Sequence, residues 1–230
     1  MKVKILGIVA TPVKKGNCQY HVEYALNAAS EVGDVETELL HLEDYDIKYC
    51  KACEGCLRRV HKIQKEAGTV GTFEPVPVRG YNCGIDDDMR ILHEKLVEAD
   101  GIILGAPVYI LSVPGQLKTF IDRCRTFAHD YRLKGKVGAS LSVAFFRQLG
   151  QEPALHVMNY WFNAMMINVT CYGIGVVSTL EGTGGMVTDT RFAVSKDEFG
   201  LGFTKNIGIR VAEMAKIVKA GKQALDINNY

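Results

Sequence analysis

Three runs of β-branched and apolar residues, 3–9, 101–109 and 136–145, constrain this chain more than any other feature. Each is too continuous for a strand with one wet face and has the pattern of a central strand covered on both sides by helices. Helical spacing follows each run. Val22, Ala25, Leu26 and Ala29 come after the first, Leu117, Phe120 and Ile121 after the second, and a Met- and aromatic-rich stretch that includes Trp161 after the third. Met89, Leu92, Leu96 and Val97 make a further apolar stripe before the second run. Residues 35–42 alternate as a more exposed strand does, residues 168–178 read as a late strand, and the last helix is expected at about 205–220. Strand and helix alternate throughout, which predicts an α/β fold with a doubly wound, parallel, five-stranded sheet. Its ligand would sit at the carboxyl ends of the strands, near the switch point.

The second constraint is Y-C-K-A-C-E-G-C at 49–56, where Cys50, Cys53 and Cys56 stand at equal gaps. Three readings compete. The thiols are buried apolar groups, which the polar neighbours Lys51, Glu54, Arg58 and Arg59 argue against. They form a Cys3His zinc site with a histidine such as His61. Or they are three ligands of an iron-sulfur cluster whose fourth comes from elsewhere in the chain, with Cys83 as the candidate.

With 230 residues, 47% of them hydrophobic, the chain suits one domain with a full core. Residues 57–82 look like an inserted loop or arm within it: basic Arg58, Arg59, Lys62 and Lys65 come first, then Gly68, Gly71, Pro75, Pro77 and Gly80. A short helix followed by an extended arm is expected, its basic start solvated. Net charge is +1 with no long block of one sign, so neither nucleic acid nor an anionic membrane is favoured as a partner. No run approaches a membrane span and the start lacks a signal peptide, so a cytoplasmic protein is expected. Seven cysteines there read as ligands, redox groups or core before disulfides.

Three loops fall at the ligand end of the predicted sheet. The first, T-P-V-K-K-G-N-C, joins a strand to a helix start and reads either as an ordinary turn or as a phosphate site, with backbone N–H groups and the helix dipole facing the anion. No G-x-G-x-x-G and no Walker lysine motif is present there. The second, Pro107 to Ser112, is apolar with accessible backbone and suits a flat heteroaromatic ring. The third runs from Phe145 to Gln151. A phosphate and a ring together make a mononucleotide, and FMN is the natural candidate. Candidate contacts are Thr11, Lys14, Asn17, Cys18 and Gln19 at the phosphate end, and Pro107, Val108, Tyr109, Ile110, Ser112, Arg147 and Gly150 at the ring. Asp86 to Asp88 precede a helix, where acids cap free N–H groups; a hard-metal site is the weaker alternative.

These segments resemble the NADPH-dependent FMN reductases. T-P-V-K-K-G-N-C is similar to their S-P-R-K-x-G-N-[ST] phosphate loop, G-A-P-V-Y to their G-S-P-V-Y ring loop, and L-K-T-F-I-D-R to the helix that follows. C-G-I-D-D-D-M places Cys83 where the iron-sulfur flavoprotein branch carries its fourth cysteine. The resemblance covers about 3–123. It implies a flavodoxin-like fold, bound FMN, a 4Fe-4S cluster on Cys50, Cys53, Cys56 and Cys83, and a homodimer or tetramer in which cluster and flavin of adjacent subunits lie close. Two positions depart from the pattern: Val13 replaces the phosphate-loop arginine and Cys18 the Ser or Thr. The grip on phosphate then rests on backbone, Thr11, Asn17 and Lys14. The interval between Cys56 and Cys83 is also longer than the family norm.

The leading functional expectation is an iron-sulfur flavoprotein passing electrons between a one-electron carrier such as ferredoxin and a small-molecule acceptor. No side chain is assigned as acid or base. The alternatives are a cluster-free NAD(P)H-dependent FMN or quinone reductase, and a non-enzymatic cysteine-based redox or iron sensor.

Overall fold

The computed structural model describes residues 1–73, 76–78, 80–146, 149–177 and 191–227. Strand β1 (Val3–Val9) lies between β2 (Val35–His41) and β3 (Gly101–Pro107), and β3 pairs with β4 (Val137–Ala144), all in parallel. The order β2-β1-β3-β4 is that of the flavodoxin-like doubly wound sheet, with its switch point between β1 and β3.

The expected fifth strand is two short ones, β5 (Asn168–Val169) and β6 (Ile174–Val177), each pairing with β4, so the sheet has six strands in place of five. The break has a local cause. The carbonyl of Tyr172 leaves the ladder and accepts hydrogen bonds from Asn159 Nδ2 at 2.6 Å and Ser140 Oγ at 3.3 Å. Ser178 and the glycine-rich stretch after it lie outside the described residues.

Alternation along the strands sends neighbouring side chains to opposite faces, and two cores result. Leu6, Ile8, Ile102 and Leu104 pack against α3 (Met89–Glu98), α4 (Gly115–Arg123) and α6 (Gln151–Ala164). Ile5, Val9, Ile103 and Leu141 pack against α1 (Asn17–Ser30) and α7 (Glu198–Ala224). Met158, Trp161 and Phe162 of α6 are core residues. Helix α7 begins earlier than its apolar spacing indicates, because the Asp197 carboxylate accepts the N–H of Gly200 at 3.1 Å and caps the helix ahead of a Phe- and Gly-containing first turn.

The segment after Cys56 is a helix and then an extended arm, as its composition predicts. Helix α2 (Gly55–Ala67) stops at Gly68, whose left-handed backbone places its N–H on the carbonyls of Gln64 and Lys65. The arm is held along its length. Val76 N–H donates to Asp130 O at 2.8 Å, Lys134 Nζ to Phe73 O at 3.0 Å, and Arg132 Nη1 to Gly80 O at 2.9 Å. These anchors lie on or just after the single turn α5 (Phe127–Asp130).

Helices α1 and α7 cross at Gly208, where a Cβ would stand 2.1 Å from the Ala25 carbonyl oxygen. Backbone cannot yield as a side chain does. Gly208→Ala is therefore expected to cost about 1–3 kcal/mol by overpacking, read as a lower urea midpoint with an unchanged slope; an unchanged midpoint would show that the crossing tolerates a methyl group.

Candidate functional site

Chain topology brings four segments to one end of the sheet: the turns after β1, β3 and β4, and the cysteine run after β2. Ligands of open α/β sheets bind at this end.

The turn after β1 is bound to itself and to the start of the next helix. Thr11 is buried, and its Oγ1 accepts the N–H of Val13 at 3.2 Å. Lys15 has φ 52°, and its N–H donates to Gln19 Oε1 at 2.8 Å while Gln19 Nε2 donates to Glu23. Lys14 Nζ is paired with Asp44, and Asn17 Oδ1 accepts the N–H of Val194 at 3.0 Å. Helix α1 opens after Gly16 with no side-chain cap hydrogen bond at that residue and no acid in its own first turn. Cys18 is placed differently from the expectation. Its thiol is buried in the core formed with Val22 and Leu26, and burial pushes its pKa to about 12.

Two further turns meet at a single glycine. Tyr109 and Ser112 exchange backbone hydrogen bonds of 2.8 and 3.1 Å, closing a two-residue turn in which Ile110 and Leu111 both have positive φ, 46° and 58°. A β-branched residue there is strained, and such strain concentrates at functional sites. Ile110 is 97% exposed. Gly150, at φ +89°, is the contact from the β4 turn: a Cβ would lie 2.8 Å from Leu111 Cα and from Val108 Cγ1. The Val108 N–H is engaged by Val143 O at 2.8 Å, and Pro107 ends β3. Arg147 lies outside the described residues.

The cysteine run has no regular structure from Asp46 to Glu54, and Ala52 and Glu54, on either side of Cys53, both have left-handed backbones. That curls the chain around the thiols. Cys50 and Cys53 are exposed, and Cys56 and Cys83 are half-buried. The arm returns Cys83 to Cys56: Asn82 Nδ2 donates to Cys56 O at 3.2 Å, and the two thiols lie near enough that Cys83 adds to burial in raising the Cys56 pKa. Among the described residues no three His, Cys, Asp or Glu side chains stand close enough together to hold a metal ion. The four thiols suit a cluster in kind, and Cys83 returns near Cys56, but the described side chains are not gathered around one point.

Arg123 organises this region, and sequence reasoning assigned it no role. Its guanidinium and the Asp87 carboxylate form an ion pair with side chains 1% and 0% exposed. Arg123 Nη1 also donates to Lys48 O at 2.7 Å, and Nη2 donates to Tyr81 Oη and lies 3.8 Å from Cys83 Sγ. Asp87 accepts the Lys48 N–H at 2.9 Å. The segment entering the first cysteine is thereby tied to the one carrying the last. The acidic triplet is not simply a helix cap: Asp87 accepts the Met89 N–H at 3.2 Å, but its main partner is Arg123, and Asp88 accepts the N–H of Asp46 at 2.9 Å. Burial pushes the Asp87 carboxyl up, and the hydrogen bonds from Arg123, Lys48 and Met89 together with the Arg123 charge outweigh it, leaving the pKa below the ordinary value. The Tyr81 hydroxyl is raised by burial and by its hydrogen bond to Cys83. Its ring is set edge-on to His93 at 4.8 Å, and His93 stacks on Phe127 at 4.2 Å.

Removing the guanidinium strands a buried carboxylate, so Arg123→Met is expected to destabilise the fold by about 3–5 kcal/mol at pH 7. The depressed Asp87 pKa contributes stability that is full above the unfolded carboxylate value, about 3.9, and is lost as pH falls through the lower folded value. The deficit of the variant should therefore shrink toward pH 2 in denaturant titrations. A deficit independent of pH would assign the loss to packing alone.

Comparison with known proteins identifies the family. The family model described as NADPH-dependent FMN reductase matches residues 3–178. An iron-sulfur flavoprotein of Methanocaldococcus jannaschii is 34% identical over 218 residues, covering 94% of this chain and 100% of its own. Among solved structures, RosB with bound 8-demethyl-8-formylriboflavin-5'-phosphate superposes with a TM-score of 0.67 at 14% identity, covering 97% of this chain and 86% of its own. An archaeal flavodoxin superposes at 0.52 with 16% identity, covering 94% and 99%. The chain is a flavin-dependent oxidoreductase and belongs to the NADPH-dependent FMN reductase family.

Proposed function

We propose that this protein is an iron-sulfur flavoprotein that moves electrons between a one-electron carrier such as ferredoxin and a small-molecule acceptor. In this reading a single domain, active as a homodimer or tetramer in the cytoplasm, holds FMN across the three turns and a 4Fe-4S cluster on Cys50, Cys53, Cys56 and Cys83. The observation that carries it is the return of Cys83 to Cys56, across a long interval, at the end of the sheet that also bears the flavin loops. The archaeal relative's description points the same way.

FMN supplies exchange between one-electron and two-electron chemistry, and the cluster supplies single-electron transfer. This chain's own residues bind and orient. The start of α1, with Thr11, Lys14, Asn17 and Gln19 shaping the turn before it, receives the phosphate. Within the ring loop the N–H groups of Val108, Tyr109 and Ser112 are already engaged, so the amides of Ile110 and Leu111 at the tip read the polar edge of the ring. Tyr109 packs beside it, and Gly150 closes the other side. Described helices include none long and apolar enough to cross a membrane.

A second reading, a cluster-free NAD(P)H-dependent FMN or quinone reductase, draws support from the exposure of Cys50 and Cys53 and from the absence, among the described residues, of three ligand side chains in reach of one metal. The test is a visible spectrum of protein purified without oxygen, with iron, acid-labile sulfide and flavin assayed on the same sample. The proposal expects flavin bands over a broad sulfide-to-iron shoulder and about four iron atoms per chain, with Cys83→Ala losing the shoulder and keeping the flavin. Flavin without iron, bleached rapidly by NADPH, selects the second reading. A protein without flavin whose thiols respond to oxidant would select the sensor.

A further inference from the structure

The turn that precedes α1 has two lysines of its own, and Lys15 is exposed to solvent. Val13 is apolar and half exposed, and its Cγ1 lies 3.2 Å from where a Gly16 Cβ would be, against the mouth of the helix. Lys14 is neutralised by Asp44. A fixed guanidinium adds charge-assisted, bidentate hydrogen bonds to what backbone N–H groups offer a phosphate monoester.

Charge reaches the turn from the far end of the chain. Arg191 Nε donates to Lys15 O at 3.0 Å and Arg191 Nη2 to Lys14 O at 3.1 Å, which lays the guanidinium on the loop itself. The backbone beside it is fixed as well: Val194 is buried, its N–H bonds to Asn17 Oδ1, and residues Ala193–Lys196 form a 3-10 turn packed on α1. A guanidinium carries more N–H donors than the pair used here, arranged in a planar fork that suits phosphate. The turn is also held from β2: His41, 7% exposed, accepts the Glu43 N–H at its Nδ1 at 3.3 Å, and a hydrogen bond joins its ring to the Val13 backbone.

We infer that Arg191 is the fixed cation of the phosphate end of the flavin site, contributed by the segment before α7 and directed at the 5'-phosphate monoester of the bound nucleotide. The inference rests on the flavin reading above. It separates two roles for one side chain: a residue that merely shapes the turn affects any flavin, whereas a phosphate ligand discriminates between FMN and riboflavin, which differ only in that group.

The experiment is a titration of flavin-free protein with FMN and with riboflavin, followed by quenching of flavin fluorescence, for wild type, Arg191→Ala and the double variant Arg191→Ala/Val13→Arg. Arg191→Ala should weaken FMN binding about ten- to hundred-fold while riboflavin binding stays within about twofold. The arginine at the exposed Val13 position should recover most of the loss. Equal weakening of both flavins, or unchanged FMN affinity, overturns the assignment. The rescue decides the matter if riboflavin binds too weakly to titrate: no recovery counts against it. Wild-type protein that binds neither flavin overturns the flavin reading, and this inference with it.

Discussion

The buried ion pair between Arg123 and Asp87 is the interaction on which the arrangement of the site depends. Burying both charges is expensive, and a pair of this kind is poor evidence of net stability. What it provides is position. Arg123 ends α4, whose first residue lies three positions after Ser112, so one helix of about 13 Å has the Tyr109–Ser112 turn near one end and the cysteine clamp at the other. Lys48, Tyr81 and Asp87 gather on the same guanidinium, and neither half of the cysteine set can shift without breaking a charge-assisted hydrogen bond to the buried pair.

Around that clamp the doubly wound sheet does simpler work. Two apolar cores of opposite facing hold β1, β3 and β4 rigid, and functional segments are confined to the turns at one end. The strain in the ring loop is tolerated because the loop is over-determined. Ile110 and Leu111 each give up about 1–3 kcal/mol to a left-handed backbone, and the Tyr109–Ser112 bridge together with the contact at Gly150 leaves them no relaxed alternative.

The fold was largely legible because its signals are local. Continuous apolar runs mark strands shielded on both faces, and β1, β3 and β4 fall where those runs do. The divided last strand was not legible, since its break depends on Asn159 and Ser140 capturing a carbonyl from other elements. In the site, Cys18 illustrates a signal that was present and outweighed. It stands at helical spacing from Val22, Ala25 and Ala29, which places it on the buried face of α1, yet its position in the loop motif suggested a role toward phosphate. Asp87 shows the reverse. Its local surroundings describe a helix cap, while its partner Arg123 belongs to a different helix. Arg191 meets the phosphate turn across nearly the whole chain, and neither periodicity nor spacing encodes such a meeting.

The way the arm returns to Cys56 bears on how this chain tolerates its own length. The entropy of closing a flexible loop grows only with the logarithm of its size, about 0.6 kcal/mol for each doubling. The hydrogen bond from Asn82 to the Cys56 carbonyl fixes the closure point, and Arg132 and Lys134 bind the arm at Gly80 and Phe73 before it. Closure entropy therefore sets little limit on the length of this interval. What a shorter segment would lose is packing and bonding: the buried Val60 of α2, the buried Val76, and the bond from the Val76 N–H to Asp130.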